Sequence, residues 1–389
     1  MMILIDSTDA LAAFCERLST ATYVTVDTEF MREKTFWPKL CLVQVAGPDE
    51  AHCIDPLAPG IDLTPLFDLL NNEKILKVFH AARQDLEIFL KESGSIPHPL
   101  FDTQVAAMVC GFGDSVGYET LATKLAGAKI DKSQRFTDWS RRPLTDKQLE
   151  YALADVTHLR KAYDKLAARL EQNGRAHWLT EEMDVLTTPD TYVTHPEDSW
   201  KRLKHRAKSR RFLGVLREVA AWRETEAQTK DIPRQRVLRD DLILEIAAHA
   251  PKTPDELARC RSFPKGAEKG RLGVEILAAI EAGKALPDNQ LPELPKKTAP
   301  TPGLGPVVDL MKVLLKMKCE AHDVAQKLIA TGDDLEMIAE DDNADVPALH
   351  GWRREVFGED ALRLKNGELA LTYLPDEKRI KIVRNFTGE

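Results

Sequence analysis

The stretch Tyr23-Val24-Thr25-Val26-Asp27-Thr28-Glu29-Phe30 decides the reading of this chain. It is rich in β-branched residues, and side chains alternate along a strand. Val24 and Val26 therefore share one face, while Asp27 and Glu29 project together from the other. Two like charges on one face of a buried strand are costly unless something neutralises them. A divalent cation is the usual remedy, and carboxylate oxygens suit hard ions such as Mg²⁺ or Mn²⁺. A strand end that meets solvent is the plainer reading of the same two acids, and taken alone the short pattern favours it.

Working outward, Leu40–Ala46 and Ala51–Ile54 are apolar runs bounded by polar and Gly/Pro residues, and they read as consecutive strands. Met2–Ile5 is a short strand, with Ser7 or Thr8 placed to cap a helix running to about Leu18. Ile75–Phe79 reads as a further buried strand, followed by a helix near Arg83–Lys91. Asp85, in the first turn of that helix, complements the macrodipole and needs no other role on its own. From Asp102 onward the strand signals stop and helices take over. The strongest is Thr145–Leu170, where Thr145 and Gln148 form a capping box and Leu149, Leu153, Val156, Leu159, Tyr163, Leu166 and Leu170 recur at helical spacing. Tyr151 and Asp155 lie at i and i+4 on this helix, side by side and next to its apolar stripe, so Asp155 is expected to be partly buried.

With 389 residues, 43% of them hydrophobic and 30% charged, the chain is suited to two or three well-packed domains. No apolar run approaches the roughly 20 residues needed to span a bilayer, which excludes a membrane protein. The amino terminus meets an acid at Asp6 and lacks the pattern of a signal peptide. Six cysteines at 15, 41, 53, 110, 260 and 319 form no close pair, as expected of reduced thiols in a cytoplasmic protein.

The net charge of −8 would argue against a nucleic-acid partner, but charge acts locally. Between Lys201 and Arg239 there are thirteen Lys or Arg against four Asp or Glu, whereas Thr331–Asp345 holds seven acids and no base. The expected organisation is a mixed α/β unit over 1–195, an all-helical unit over 200–286, a linker with six prolines over 287–306, and a mainly helical unit over 307–389. In the second unit Phe212, Leu213, Leu216, Val219 and Ala220 form one stripe, and Thr253-Pro254-Asp255-Glu256 is a helix start. At the end of the third, Leu369–Leu374 and Arg379–Val383 alternate around Pro375-Asp376-Glu377, the pattern of a terminal hairpin.

Each acidic element is weak alone, but their order is specific. A strand with Asp-x-Glu, two further strands, an Asp after a fourth, and a late helix with Tyr-x-x-x-Asp together resemble the DEDD exonucleases of the tyrosine subgroup. The likeness extends to Leu40-Cys41-Leu42-Val43-Gln44, Phe79-His80-Ala81-Ala82-Arg83-Gln84-Asp85-Leu86, Asp131-Lys132-Ser133-Gln134 with Asp138-Trp139, and Arg142-Pro143-Leu144-Thr145 leading into Tyr151-Ala152-Leu153-Ala154-Asp155. These stretches look like ribonuclease D over nearly all of residues 1–170. Trp222-Arg223-Glu224 and Ile232-Pro233-Arg234 resemble the HRDC domain shared by RecQ helicases and ribonuclease D. The family typically carries two such domains, so 307–389 would be the second copy, with the hairpin as a departure.

The resemblance implies a ribonuclease H-like exonuclease domain with a mixed central sheet, followed by two HRDC-type domains. It implies 3′-to-5′ exonucleolytic hydrolysis of RNA with a free 3′ end, transfer RNA precursors especially. By motif position Asp27, Glu29, Asp85 and Asp155 would hold two divalent cations, Mg²⁺ or Mn²⁺, and Tyr151 would handle the attacking water. The charge arithmetic agrees, because four carboxylates and two divalent cations sum to zero and do not repel a dianionic transition state. Two cations about 3.5–4 Å apart clamp both the attacking and the leaving oxygen. With an ordinary pKa near 10, Tyr151 is a poor base, and orientation of the water with partial proton transfer suits it better.

Other residues carry two readings each. His80 is placed either to meet substrate phosphate and the surroundings of the metals or to sit at the core edge. Phe30 either stacks on a terminal base or packs in the core. Gln44, inside the second strand, has no derivable role. Lys204, Arg206, Lys208 and Arg210 lie in a basic run that is either a solvated helix face or a grip on the RNA backbone. Walker, dinucleotide-binding and nucleophile-elbow motifs are absent, so P-loop and serine-hydrolase chemistry is unsupported. A DNA 3′-to-5′ exonuclease and a catalytically silent nucleic-acid-binding adaptor are the alternatives; an adaptor would be expected to lack one of the five residues. No membrane and no obligate protein partner is implied, and a monomer is the default.

Overall fold

The apolar runs of the first hundred residues pair into one six-stranded sheet in the computed structural model, which describes residues 4–131, 133–206, 209–294 and 303–384. Met2, Ile3, Lys132, Lys208 and residues 295–302 of the proline-rich stretch lie outside the described residues. Strands β1 (Leu4–Ile5), β2 (Tyr23–Met31), β3 (Lys39–Ala46), β4 (Ala51–Ile54), β5 (Leu76–Phe79) and β6 (Leu100–Asp102) lie in the order β1-β4-β3-β2-β5-β6. The pairs β2–β3 and β3–β4 are antiparallel, whereas β2–β5, β5–β6 and β1–β4 are parallel, so the sheet is mixed. Strand β6, with three residues, is too short to show a period in the sequence.

Helices cover both faces. On one, α1 (Thr8–Leu18), α2 (Thr64–Asn71) and α3 (Arg83–Ser93) pack Leu11, Phe14, Leu66, Leu70, Leu86 and Phe89 against Val24, Val26, Val43 and Val45. Past β6 come α4 (Thr103–Val109), α5 (Tyr118–Ala126) and α6 (Asp146–Gln172), and α6 lies across β2, β3 and β4 on the opposite face. There Leu149 and Ala152 of α6 close over Cys41, Leu42 and Cys53 with Trp139. The strand face that carries Asp27 and Glu29 therefore lies beneath α6, with both acids half-buried.

The placement of α6 is strongly specified. Its first turn has the expected capping box, with the Thr145 hydroxyl accepting from the Gln148 amide (3.3 Å) and the Gln148 side chain accepting from the Thr145 amide (3.0 Å). Just before it, Arg142 donates to both Asp55 oxygens at 2.6 Å and to the carbonyls of Cys41 (2.6 Å) and Trp139 (2.8 Å). A forked, charge-assisted anchor of this kind fixes direction as well as position. It ties the entry of α6 to β3 and to the end of β4.

After α7 (Thr180–Thr187), the second unit comprises α8 (Arg210–Lys230), α9 (Arg234–Val237), α10 (Asp240–His249), α11 (Pro254–Leu257) and α12 (Arg271–Ala285). Leu213, Leu216, Val219 and Ala220 of the expected stripe join Ile243, Ile246, Ile276 and Ile280 in a core of their own. The third unit comprises α13 (Leu304–His322), α14 (Gln326–Ile329), α15 (Gly332–Glu340), α16 (Gly351–Arg353) and α17 (Glu359–Lys365), with a π-helical segment joining the last two. The chain's described end is a hairpin of β7 (Leu369–Leu374) and β8 (Arg379–Arg384).

This third unit has no core separate from the first. Leu314, Ile338, Trp352 and Phe357 pack in one continuous cluster with Ala106, Val109, Leu166 and Trp178. Trp178 and Trp352 stack at 4.1 Å, the Ala325 amide donates to the Met108 carbonyl (2.9 Å), and Arg353 bridges Glu181 and Glu182. Apolar positions expected to build an independent bundle instead close over α4 and α6. Among the described residues no helix is long and apolar enough to cross a membrane, and all six cysteines are buried and free.

Candidate active site

Asp27 and Glu29 stand two residues apart on the α6-facing side of β2. After Glu29 the pairing shifts register, with Glu29 opposite Leu42 and Phe30 opposite Leu40, and such a bulge re-aims the side chains beside it. Asp155 comes from α6, which is tied to β2 because the Thr25 hydroxyl donates to the Val156 carbonyl (2.9 Å). Asp85 enters from the first turn of α3, buried, where the Thr28 hydroxyl donates to its carboxylate. Four acids from three elements thus converge.

Their electrostatics record how close they are. Burial, then the Asp155 carboxylate, holds Asp27 well above the ordinary carboxylate range. Burial, then Asp27, does the same to Asp85. Glu29 is pushed up to about 9 by burial, then by Asp27, Asp155 and Asp85. Burial raises Asp155 to about 7. None of these shifts has a Lys or Arg opposing it, so the set is an uncompensated negative cluster. An all-oxygen, mutually repelling donor set, with Asp85 buried and Asp27, Glu29 and Asp155 half-buried, fits hard divalent cations. No three of the four bring an oxygen within 4.8 Å of one another; among the described residues only Glu245, His249 and Cys260 of the second unit are that tight.

A cavity of about 310 Å³ opens beside the cluster, and Asp27, Tyr151 and Asp155 line it together with His80, Tyr118 and Arg135 among others. Tyr151 is half-buried, its ring 6.1 Å from Trp139. Burial, then the charges of Asp155, Glu29 and Asp27, raises its phenol well above the ordinary value, so its oxygen keeps the proton. His80 lies 3.0 Å through Nδ1 from the Thr103 hydroxyl, which itself donates to the Phe79 carbonyl (2.9 Å), while Nε2 has no hydrogen-bond partner. With the Thr103 hydroxyl donating to Phe79, the contact suits the tautomer in which His80 Nδ1 donates. Burial pushes the imidazole below its usual range against the pull of Asp102 and the Val116 carbonyl, which keeps it neutral.

Of the two readings of Phe30, the structure shows the core packing. It packs partly buried against the core of the first three helices, and with Glu29 it lines a second cavity of about 520 Å³. Gln44 is fully buried with both side-chain polar atoms unpartnered, and we have no physical account of it. In the basic run, Lys204 and Arg206 are exposed, and neither lines the acidic cavity. The Arg210 guanidinium instead donates to the carbonyls of Asp288 (2.7 Å), Leu291 (2.8 Å) and Pro292 (3.4 Å), which straps the chain after α12 onto α8. The acids of 331–345 surround α15, whose Leu335, Ile338 and Ala339 are buried.

The comparisons with known proteins can be set against this geometry. A family model described as a 3′-5′ exonuclease matches residues 2–171, and an HRDC domain model matches residues 212–280. Ribonuclease D of Nitrobacter hamburgensis is 58% identical over 370 residues, 95% of this chain and 97% of that protein. Ribonuclease D of Bartonella henselae is 45% identical over 379 residues, 97% of this chain and 93% of that one. The chain belongs to the ribonuclease D family. The crystal structure of Escherichia coli RNase D, described as an exoribonuclease involved in structured RNA processing, superposes with a TM-score of 0.82 at 30% identity, covering 94% of this chain and 99% of that one. A Bifidobacterium adolescentis protein shares the fold at a TM-score of 0.69 and 20% identity, covering 94% and 97%. The family architecture is therefore an exonuclease domain with a mixed sheet followed by an HRDC domain.

Four residues in this family site escaped the sequence. Tyr118 donates to the main-chain carbonyls of Asp155 (2.5 Å) and Ala154 (3.0 Å), gripping α6 where it bears its acid. Asp102, 3% exposed, accepts from the amides of Ala81 (3.0 Å), Ala82 (2.8 Å) and Gln104 (2.7 Å). It holds the turn ahead of α3, where Ala81 sits in the left-handed region at φ 57°. Arg135 lines both cavities and draws the Tyr151 phenol downward. Phe136, 92% exposed, stands at the mouth of the second cavity. A Tyr at a helix start, an Asp ending a three-residue strand, and an Arg and a Phe in a loop carry no periodic signal.

Proposed function

We propose that the chain is a metal-dependent 3′-to-5′ exoribonuclease that shortens RNA from its 3′ end, with transfer RNA precursors among its substrates. The observation that carries this reading is the electrostatic convergence of Asp27, Glu29, Asp85 and Asp155, with Asp27 and Asp155 lining a cavity that also holds Tyr151. These four carboxylates would hold two divalent cations, Mg²⁺ or Mn²⁺. Four carboxylates carry the charge to balance two such ions, which would sit some 3.5–4 Å apart. When bound, such ions supply the positive charge that stabilises the attacking and leaving oxygens.

The chain's own residues do the rest. The protonated Tyr151 hydroxyl orients the water for in-line attack, and its depth in the negative cluster makes it a donor, not a base. Neutral His80 offers its Nε2 lone pair to a sugar hydroxyl at the terminal nucleotide. Phe30, and Phe136 at the mouth, present rings on which the terminal bases stack. Tyr118 and Asp102 position two of the acids from behind.

The remaining parts follow the same reading. Residues 1–195 are the catalytic domain and 200–286 the first HRDC domain. The stretch 287–306 links to a second HRDC-like domain over 307–389 that uses the catalytic domain as its packing partner. Lys204 and Arg206, exposed at the entry to α8, contact the body of a structured substrate together with Lys208. The enzyme is cytoplasmic, in keeping with six free buried thiols, and acts as a monomer. The test is side-by-side degradation of matched 5′-labelled RNA and DNA with Mg²⁺, Mn²⁺ or EDTA. RNA should shorten stepwise with either metal and not with EDTA. Preferential loss of the DNA would assign a DNA exonuclease, and inert binding of both would assign an adaptor.

A further inference from the structure

We infer that the seam between the exonuclease domain and the second unit is a phosphate site for the RNA strand upstream of the scissile bond, built by Ser199, Arg202 and Arg223. This inference rests on the exoribonuclease reading and extends it from the acid cluster to the path of the substrate.

Three cavities succeed one another across the molecule and share walls. The one beside Asp27 and Tyr151 has Arg135 in its wall. Arg135 also lines the second, which holds Glu29 and Phe30 and continues over Arg32 and Thr35. Arg32 and Thr35 in turn line a third, of about 400 Å³, that runs into the seam and reaches Ser199, Arg202 and Arg223. A chain that leaves the acids past Arg135 is thus led along consecutive hollows to the seam. An arginine stands at each shared wall, as a polyanion requires.

The seam cavity is also built for an anion. The Ser199 hydroxyl and the Arg223 Nε both lack a hydrogen-bond partner, on residues 2% and 3% exposed. Buried polar groups are almost always paired, so two orphan groups on one cavity wall point to an absent ligand. Arg223 is held at one end, its Nη1 donating to the Leu238 carbonyl (3.1 Å) and to Asp240 (2.5 Å), which leaves its Nε–H without a partner. An acceptor-only oxygen, as on a phosphodiester, suits both groups.

Charge points the same way. Four arginines and two acids line this cavity. Glu224 is taken up by both donors of Arg234 at 2.6 Å, Asp240 by Arg223, and Arg32 pairs with Glu87. Arg202 reaches only the Thr194 hydroxyl (3.1 Å) among the described residues, which leaves its charge for a ligand. The seam itself is fixed. Asp231 accepts from the Phe36 and Trp37 amides (3.0 and 2.9 Å), and Arg234 lies 4.3 Å over the Phe36 ring. A preorganised anion site of this kind costs little ordering on binding.

The test measures binding of single-stranded RNAs of increasing length to the full-length protein, with EDTA to prevent hydrolysis and across a range of salt. Arg202→Gln, Ser199→Ala and Arg223→Lys are compared with the parent, and thermal melts confirm that each variant is folded. For RNAs long enough to reach the seam, affinity should fall by about tenfold in Arg202→Gln, with the salt slope reduced by about one. RNAs too short to reach it should bind as in the parent. Unchanged affinity and salt slope for the long RNAs would overturn the proposal. So would an equal loss at every length, which would place the effect in the active site. Loss of orthophosphate binding with no change for RNA would assign the seam to a free anion and overturn it as well. Failure of the exoribonuclease reading would show separately, as a parent protein that binds no RNA in EDTA or degrades none once Mg²⁺ is supplied.

Discussion

The Tyr118 hydroxyl donates to the main-chain carbonyl of Asp155 at 2.5 Å. The bond reaches from the first residue of α5 to the residue of α6 that completes the acid cluster, at a carbonyl already inside a helix. With the Thr25 hydroxyl on the next carbonyl, at Val156, it pins one turn of a 27-residue helix from two sides. Tyr118→Phe keeps the ring and deletes the bond. We expect about 1 kcal/mol of lost stability in urea unfolding. The single-turnover rate should drop about tenfold to a hundredfold as Asp155 loses its setting. A rate equal to the parent's would show that Asp155 is placed without Tyr118.

Asp102 is the corresponding support for Asp85. Its carboxylate collects three amides, two of them in the turn held at the left-handed Ala81. Asp102→Ala should cost about 3 kcal/mol, since hydrogen bonds to a charged group contribute more than neutral ones and the amides are left buried. Metal affinity should fall with it, because the turn that delivers α3 loosens. Full stability in the variant would mean that the turn is held by packing alone.

Phe136, exposed at the channel mouth, makes no core contact that its exposure would not forfeit. Phe136→Ala should leave the melting temperature within a degree or so while weakening single-stranded RNA binding by about 1–2 kcal/mol, the usual worth of one stacked base. Unaltered RNA affinity would remove the ring from the substrate path.

Proton and metal binding compete in the acid cluster, and the sign follows from the raised carboxyls. Glu29, lifted from an ordinary 4.5 to about 9, keeps its proton in the folded metal-free protein at pH values where the unfolded chain has lost it. Its contribution is present at low pH and is lost as pH rises through that interval, so the metal-free protein loses stability. Divalent cations bind the deprotonated form, so the rise in melting temperature on adding Mg²⁺ should be larger at pH 8.5 than at pH 6. A Mg²⁺ effect that shrinks with rising pH would contradict the picture of four mutually repelling acids.

What the sequence disclosed and what it hid follow from the range of the interactions involved. Asp27 and Glu29 announced themselves because strand alternation is a two-residue rule, and Tyr151 with Asp155 because helix spacing is a four-residue one. The capping box at Thr145 is equally local. Strand β6 has three residues and shows no period. Tyr118 acts across 37 residues and Asp102 across 21, through hydrogen bonds that leave no pattern in neighbouring positions. The third unit's apolar residues were legible as a helix stripe, but not the surface they cover, since Trp352 has the same appearance whether it meets its own bundle or Trp178.

The most direct measurement of the central claim is single-turnover hydrolysis of a 5′-labelled RNA by purified Asp27→Asn protein in Mg²⁺, alongside its RNA affinity. The substitution removes one charge from the cluster and keeps the shape of the side chain. The account predicts hydrolysis slower by at least about a hundredfold, with RNA binding and the melting curve close to the parent's. Turnover at the parent's rate, still dependent on Mg²⁺, would contradict it.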